Sequence, residues 1–266
     1  MRVTQRDLGV GFLALLGLAW LAALVLPYDV VADVHPSVAE APISAAHWLG
    51  TDHLGRDVAQ RLFHATGAFV GPGLVCAGVA GVFGGALGAA GGWGGGATEV
   101  AVRYVYTVLG AVPRLVLVLL AATIWGGSPW VLALAAGIAC APEPGGAVMA
   151  RIQALRGAEF VLAARAHGIP GPRLFWYHVL WVNCRGALAR QMLQAFGFFL
   201  VIETTLSYLG GFGVPEPSPS WGNMLAFEFG YQDGNLWASL APGLAIWGVA
   251  SLTAWVGADR EARPGN

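Results

Sequence analysis

The sequence predicts an all-α membrane protein with six transmembrane helices. Only 11% of its 266 residues are charged, whereas an ordinary soluble domain carries roughly 25% charged residues. So few charges cannot cover the surface of a soluble domain, and lipid is therefore expected to solvate much of the chain. Six apolar runs also approach the length of about 20 helical residues that crosses a bilayer. They cover 8–26, 68–90, 105–125, 130–149, 188–209 and 236–256.

The first apolar run, 8–26, has about 19 residues and is followed by Pro27. The apolar region of a cleaved signal peptide is shorter, about 7–15 residues. We therefore predict an uncleaved transmembrane helix over 8–27, preceded by a cytoplasmic segment over 1–7, with a cleaved signal peptide as the alternative. Residues 28–66 would form the first outer loop, and the other five spans would lie within 67–257.

Glycines recur at every fourth position late in the second run and just beyond it: Gly84, Gly88, Gly92 and Gly96. On one helix these residues share a face, where another backbone can approach closely. The stretch GGWGGG in the same region also resembles a phosphate-binding loop. Such a loop needs a lysine, but all 14 basic residues of this chain are arginines. We therefore predict helix packing and a flexible exit rather than a nucleotide site.

The sequence predicts no disulfide frame, metal site or nucleic-acid site. The three cysteines are far apart and form no CxxC pair, and the net charge is −1. His47, His53 and His64 lie near Asp52 and Asp57, and imidazole with carboxylate suits nickel or zinc. Because their spacing has no repeating ligand pattern, no metal ligands are predicted.

The distribution of arginine predicts the orientation, because short cytoplasmic loops hold an excess of positive charge. With six spans and the N-terminus inside, the outer segments hold only Arg56 and Arg61. The inner segments hold Arg2, Arg6, Arg103, Arg151, Arg156, Arg165, Arg173, Arg185, Arg190, Arg260 and Arg263. Both termini, including the tail over 258–266, are therefore predicted to be cytoplasmic.

One inner segment has the pattern of two short helices separated by a turn. Residues 159–167 are predicted to form an amphipathic helix that Gly168 and Pro170 end, and a second short helix follows over 173–180. A groove on a partner protein and the headgroup layer of the membrane both suit its aromatic side chains, and the residues alone leave both open. These side chains are Phe160, Phe175, Trp176 and Tyr177.

This segment carries a family resemblance. AARAHGIPGPRLFWYHVL is similar to the cytoplasmic coupling loop of ABC-importer permeases, whose pattern is Glu-Ala-Ala, three residues, Gly, nine residues and Ile-x-Leu-Pro. Ala163, Ala164 and Gly168 match at the family spacing. Leu162 stands in place of the Glu, and Trp181 stands in place of the Pro.

Three other stretches narrow the resemblance to the permeases of dipeptide, oligopeptide and nickel importers. HWLGTDHLGRDVAQRL resembles their signature after the first span, and ETTLSYLGGFGVPEPSPSWGNML resembles their segment after the fifth. EVAVRYVYTVLGAVP resembles the stretch entering the third span, with Tyr106 where an Asp is common. Together they indicate the second permease of the pair in that family.

The resemblance implies the type I ABC importer permease fold and a non-catalytic subunit of the bacterial inner membrane that binds no cofactor itself. Its partners would be a homologous permease, two ATPase subunits or domains carrying ATP and Mg²⁺, a periplasmic or lipid-anchored solute-binding protein, and membrane lipid. Short peptides are the first expected solutes, with nickel or metal chelates behind them. The loop over 158–181 would contact the ATPase through Glu159, Leu162, Ala163, Ala164, Gly168 and Arg173.

The outer signature comprises five residues: Thr51, Asp52, Gly55, Arg56 and Asp57. Asp52 can cap the following turn, and Arg56 and Asp57 can hold the loop by charged hydrogen bonds. The functional alternative is a seat for the solute-binding protein or a wall of the outer gate. The segment 210–235, which contains Trp221 and Asn223, is expected to be an ordered cap over the path, too rich in proline around PEPSPSWGNM for a helix.

Ionisable residues within spans usually face the bundle interior or a water-filled cavity. Glu203 in the fifth span and Glu143 in the fourth are therefore candidates for the translocation path or gate. Arg114 either pairs with Glu203 or reaches the cytoplasmic interface. Glu99 and Arg103 stand four residues apart, which predicts an ion pair on a helix surface.

Two other classes of protein could be this apolar. A self-sufficient channel or secondary carrier would be favoured by inverted repeats, which the sequence lacks. A haem-binding membrane anchor would need paired histidines within the spans, but His167 and His178 are cytoplasmic and the other four precede the second span. The predicted function is therefore that of an importer permease, with the channel or carrier as the alternative.

Overall fold

The computed structural model describes residues 5–228 and 235–257. These residues form helices joined by turns and loops. Parts of three predicted segments lie outside the described residues: 1–4 of the N-terminal segment, 229–234 of the cap and the tail over 258–266.

The first half of the chain contains eight helices up to the cytoplasmic segment: α1 Gln5–Val25, α2 Val58–His64, α3 Thr66–Val79, α4 Gly85–Gly94, α5 Gly96–Ala111, α6 Arg114–Trp125, α7 Pro129–Ala139 and α8 Pro142–Leu155. The rest of the described chain contains α9 Glu159–Ala166, α10 Gly171–Arg173, α11 Arg185–Leu209, α12 Trp221–Glu228 and α13 Leu236–Gly257. A π-helical segment, Ala80–Gly84, joins α3 to α4, and a second, Leu174–Cys184, joins α10 to α11.

Four continuous helices of the described chain are long and apolar enough to cross a membrane: Val58–Gly94, Pro129–Leu155, Gly171–Leu209 and Leu236–Gly257. A fifth span results if α5 and α6 are counted together, although they are bent by 79° at their junction. The N-terminal helix α1 is apolar over Leu13–Val25 and is not among these four. The all-helical membrane class is thus confirmed, while the count of six spans and the cytoplasmic termini stay predictions.

Pro113 explains why the third predicted span is not one straight helix. The ring of a proline disfavours the helical conformation at the residue before it, and Val112 is extended, with φ −100° and ψ 132°. The helix therefore stops at Ala111 and restarts at Arg114 in a new direction. The kink expected at Pro113 within the apolar run over 105–125 is therefore present, as a bend of 79°.

The predicted second short helix of the cytoplasmic segment does not end at residue 180. The helix that starts at Gly171 continues through the π-helical segment into α11 and ends only at Leu209. No proline lies between Arg173 and Leu209 to remove a backbone donor. The predicted cytoplasmic segment and the predicted fifth span therefore share one helix.

The chain divides into two compact units. Of the described residues, unit 1 contains 5–74, Ala121–Ala133, 197–228 and 235–256, and unit 2 contains Val75–Leu120, Leu134–Phe196 and Gly257. In unit 1, Gly222 brings α12 against α11, because a Cβ at Gly222 would lie 2.2 Å from the Thr204 carbonyl oxygen. A larger residue at this position would separate the two helices.

In unit 2, three of the four regularly spaced glycines make the predicted close contacts. A Cβ at Gly84 would lie 2.1 Å from the Ala141 carbonyl oxygen, and a Cβ at Gly88 would lie 2.1 Å from that of Gly145. A Cβ at Gly92 would lie 2.9 Å from Ile152 Cβ and 3.1 Å from the Met149 carbonyl oxygen. Gly96 was wrongly assigned to this face, because α4 ends at Gly94 and Gly96 begins α5.

Candidate functional site

Three buried charges and one half-buried charge in unit 1 form an ion-pair cluster, which we call the charge clamp: Asp52, Arg56, Arg61 and the half-buried Glu216. Arg56 Nε lies 2.6 Å from Asp52 Oδ2, and Arg56 Nη1 lies 2.7 Å from Glu216 Oε2. Arg61 Nη2 lies 3.0 Å from Glu216 Oε1, and Arg61 Nε lies 3.7 Å from Asp52 Oδ2. Each arginine therefore touches both carboxylates, and the cluster as a whole is neutral.

The clamp is almost closed to solvent on its basic side. The side chains of Arg56 and Arg61 are 2% and 1% exposed, whereas that of Glu216 is 25% exposed. Burial opposes the charged form of Arg56, but the hydrogen bond to Glu216 and the charges of Asp52 and Glu216 outweigh it and raise its pKa above the usual value. Arg56 therefore stays charged.

The backbone around the clamp follows from the residues of the outer signature. Asp52 Oδ1 accepts the N–H groups of Leu54 and Arg56, each at 2.9 Å, which confirms the predicted cap. Asp57 caps α2 by accepting the Gln60 N–H at 2.9 Å, and its other oxygen lies 2.8 Å from His47 Nδ1. The predicted charged hydrogen bonds of this loop are thus present.

Thr51 and Gly55 make this loop compact. The Thr51 hydroxyl accepts the Ala41 N–H at 2.8 Å and donates to the Val38 carbonyl. Gly55 has φ +76°, and a Cβ there would lie 1.9 Å from the His35 carbonyl oxygen. Glycine is therefore required at position 55, both for the backbone conformation and for space.

The segment after α11 is ordered mainly by Asn223. Its side chain donates to the carbonyls of Val214 and Ser218, at 3.1 and 2.8 Å, and accepts the Ser220 N–H at 3.0 Å. Ser220 in turn accepts the Asn223 N–H, a reciprocal helix cap. The prediction that this proline-rich stretch excludes a helix was wrong for its last part, because this cap allows α12 to begin at Trp221, directly after Ser220.

Trp221 fixes the first residue of α12 against the start of the Val58–Gly94 helix. Its Nε1 donates to the Leu62 carbonyl at 3.0 Å, and its ring centroid lies 4.5 Å from that of Phe69. The side chains of Trp221 and Asn223 are both buried. Beside this segment lies an open cleft of about 600 Å³, bordered by Ser207, Glu216 and Asn223 among others.

Glu203 lies inside unit 1 and is fully buried. Its Oε1 accepts a hydrogen bond from the Ser207 hydroxyl at 2.7 Å, and the same hydroxyl accepts the Val214 N–H at 3.0 Å. Ser207 thus connects Glu203 to the segment that follows α11. In the described residues, Glu203 Oε2 has no hydrogen-bond partner.

Ser207→Ala is expected to lower the free energy of unfolding by about 2–3 kcal/mol, because it leaves two buried polar groups without a partner. Thermal unfolding of the purified protein measures the change. Thr205→Ala is the matched control, since the Thr205 hydroxyl bonds only the Val201 carbonyl of its own helix and is exposed. Equal losses for the two variants would contradict the bridging role of Ser207.

Two polar contacts in unit 2 involve residues that the sequence singled out. Arg114 forms an ion pair with Glu143, which occupies the first turn of α8 behind Pro142. Neither predicted position of Arg114 included this pair. Tyr106 donates its hydroxyl to the Gly84 carbonyl at 2.8 Å.

The predicted surface pair of α5 is confirmed. Arg103 Nε lies 2.9 Å from Glu99 Oε1, and both side chains are partly exposed.

The segment over 158–181, which the sequence places in the cytoplasm, is anchored in unit 2 by one face of α9. Val161 is fully buried among residues of the Val58–Gly94, Pro129–Leu155 and Gly171–Leu209 helices, including Ala89, Ile152 and Leu174. Ala164 packs at the edge of this cluster. The anchored face fixes the position of α9 on three long helices.

The other face of α9 is open. The residues expected at the ATPase contact are exposed, apart from the half-buried Ala164: Glu159, Leu162, Ala163, Gly168 and Arg173. The helix ends as predicted, with Gly168 at φ +74° and the Ile169 N–H bonded to the Ala164 carbonyl at 3.0 Å. A rigid, partly apolar surface is thus presented by the turn between two helices.

Arg61, Glu216 and Ser207 were not predicted as site residues. Arg61 was recognised only as a charge outside the spans, and Glu216 lies 155 residues away from it in the chain. The described residues contain no group of three or more potential metal ligands.

Apolar helices of membrane-spanning length define a multi-pass membrane protein, and an exposed helical turn is anchored on three of them. The sequence model of the family described as "binding-protein-dependent transport system inner membrane component" matches residues 81–258. The chain belongs to this family and is a permease subunit.

The curated relatives support the same assignment. The dipeptide transport system permease protein DppC of Alkalihalophilus pseudofirmus is 29% identical over 215 residues, 81% of this chain and 70% of that protein. The probable D,D-dipeptide transport system permease protein DdpC of Escherichia coli is 33% identical over 210 residues, 77% of this chain and 68% of that protein. The nickel transport system permease protein NikC of Escherichia coli is 31% identical over 219 residues, 80% of this chain and 78% of that protein.

Proposed function

We propose that this permease is one half of the translocation path of an ATP-driven importer in the bacterial inner membrane. It would cross the membrane six times, with both termini in the cytoplasm, and would pair with a homologous permease. Two ATPase subunits would bind ATP and Mg²⁺ on the cytoplasmic side, and a periplasmic or lipid-anchored protein would deliver the solute. The chain itself would bind no cofactor and catalyse no reaction.

The observation that carries the proposal is the two-sided environment of α9. Val161 anchors one face in the core of unit 2, while Leu162 and Ala163 leave the other face free for a partner. Coupling between two sites requires an element whose states both sites bias. The anchored turn, with the helix Gly171–Leu209 that continues from it, supplies a rigid lever for ATPase closure.

The path itself is proposed from buried polar residues. Glu203, Trp221, Asn223 and Glu143 would shape the path or its gates, and the cleft beside Glu216 would be part of its outer mouth. Glu203 supports this assignment, because a buried acid within a span usually faces a bundle interior or cavity. The five residues of the outer signature would hold the adjoining wall and the seat of the solute-binding protein.

Short peptides are the proposed solutes, followed by nickel or metal chelates. The names of the relatives include dipeptide, D,D-dipeptide and nickel systems. The lining of the spans is rich in Gly and Ala and offers few side chains that could select among solutes. Selectivity would therefore lie largely in the solute-binding protein.

Ala163→Glu tests the coupling role. A carboxylate on the docking face would be buried without a partner in the complex, which costs about 2–5 kcal/mol. We expect at least a tenfold loss of the ATPase activity stimulated by the solute-binding protein and its solute, and a parallel loss of transport. The measurement uses the complete importer in liposomes.

Ala97→Glu is the matched control, since Ala97 is exposed in the first turn of α5 and the chemical change is the same. Its ATPase activity and transport should equal those of the wild type. Normal coupling in a well-folded Ala163→Glu protein would contradict the proposal. Solute transport by the purified chain alone would favour a self-sufficient channel or carrier instead.

A further inference from the structure

Unit 2 contains an apolar groove of about 590 Å³ between the helices Val58–Gly94 and Gly171–Leu209. Gly81 and Gly85 line it on one helix, and Leu188 and Met192 line it on the other. Among the described residues that line the groove, Arg185 is the one charged side chain. The groove is therefore apolar along most of its length and basic at one level.

Arg185 occupies this level together with an aromatic ring. Its Cζ lies 5.9 Å from the centroid of the Trp181 ring, and both side chains are exposed. Arginine and tryptophan are common where a protein meets lipid headgroups.

The depth of Arg185 matches the headgroup layer, given the orientation proposed above. About 20 residues of helix cross the hydrocarbon core, and counting back from Leu209 places Arg185 just beyond its cytoplasmic edge. From Arg185 to Met192 the helix rises roughly 10 Å. The apolar part of the groove therefore extends from the headgroup level into the hydrocarbon.

Both walls contain π-helical segments, Ala80–Gly84 and Leu174–Cys184. Such segments are rare and occur frequently at functional sites. Here they lie on the two helices that form one groove, and residues from each segment line it. The presence of a π-helical segment on each wall is a second observation that points to this groove, separate from the charge of Arg185.

We propose that the groove binds one anionic phospholipid of the inner leaflet. The phosphate would lie at Arg185 beside Trp181, and one acyl chain would extend between Gly85 and Leu188 toward Met192. Basic pockets between transmembrane helices on the cytoplasmic side bind anionic headgroups. A zwitterionic lipid would share the apolar contacts but would gain less from the unbalanced positive charge.

Native mass spectrometry of the complete importer, supplied with phosphatidylglycerol and phosphatidylcholine in equal amounts, tests this site. The wild type should retain phosphatidylglycerol preferentially. Arg185→Gln should reduce this preference about fivefold, as expected for one basic residue at a headgroup. Ala189→Phe, at an exposed lining position, should reduce the retention of both lipids by filling the groove.

Arg103→Gln is the matched control, because Arg103 is an exposed arginine on α5 and is not part of the lining. It should leave the lipid preference unchanged. Equal retention of both lipids by the wild type, or an unchanged preference in Arg185→Gln, would overturn the proposal. Loss of the homologous permease from the Ala189→Phe complex, with lipid retention intact, would assign the groove to the subunit interface. Lipid retention is read without ATP, so its outcome is separate from that of the coupling experiment.

Discussion

Replacing Arg56 by methionine is expected to lower the free energy of unfolding by about 3–5 kcal/mol, the usual cost of removing one partner from a buried ion pair. The variant leaves Asp52 and Glu216 facing a single arginine in a site that solvent hardly reaches. Thermal unfolding of the complete importer in mild detergent measures the loss. Transport should fall with it, because the clamp orders the loop before the second span.

Arg103→Met provides the control for this prediction. The Arg103–Glu99 pair has a similar separation, but its side chains are 57% and 29% exposed. An exposed pair contributes less than about 1 kcal/mol. Similar losses for Arg56→Met and Arg103→Met would contradict a special role of burial in the clamp.

A double variant separates the ion pair from other effects of the substitution. Arg56→Met with Glu216→Gln removes one positive and one negative charge, which restores neutrality around Asp52 and Arg61. The loss in the double variant should be smaller than the sum of the two single losses by at least about 1 kcal/mol. Additive losses would show that Arg56 and Glu216 act independently.

Gly88→Ala is the second prediction with a large effect, a loss of about 3 kcal/mol from overpacking. The new Cβ would lie 2.1 Å from the Gly145 carbonyl oxygen, so the backbones of α4 and α8 must separate. The atoms nearest to this Cβ belong to the Gly145 backbone, which cannot move away as the end of a flexible side chain could. Thermal unfolding and the yield of the assembled importer both measure the damage.

Gly78→Ala is the control on the same long helix. A Cβ at Gly78 meets no described atom within 4 Å. The substitution should therefore be neutral or stabilising by about 0.4–1 kcal/mol, since alanine restricts the unfolded chain. Gly88→Ala should therefore be less stable than Gly78→Ala by about 3 kcal/mol, and a comparable loss in Gly78→Ala would contradict close backbone packing as the cause of the loss at Gly88.

The close helix contact was largely predictable, because it depends on a local pattern. Glycines at every fourth position share one face of a helix, and the structure places Gly84, Gly88 and Gly92 against a neighbouring backbone. The prediction failed for Gly96, because Gly95 adopts φ +66° and ends the helix between Gly92 and Gly96. The spacing alone did not show where the helical repeat stopped.

The cytoplasmic segment was also predicted in part. Its first helix ends at Ala166 rather than His167, and Gly168 has the left-handed conformation expected of a helix end. What could not be predicted is that the second helix continues to Leu209. The aromatic run 174–181 suits a short surface helix and a long helix equally well, and packing on unit 2 selects the long one.

The charge clamp marks the limit of sequence reasoning. The bonds of Asp52 to its neighbours were expected, since they span two to four residues. The two bonds to Glu216 join positions 155 and 160 residues apart, and no spacing rule relates such positions. The same limit applies to Arg114, whose partner Glu143 lies 29 residues away.

The sequence by itself determined that this chain is a helical membrane protein and a member of the importer-permease family. Composition, the length of apolar runs and short motifs are local properties, and they can be recognised without knowledge of the fold. Only the tertiary structure decided which charges pair, which helices continue without a break and which face of α9 is free. These features depend on distances between residues remote in the chain, and such distances are set when the helices pack together.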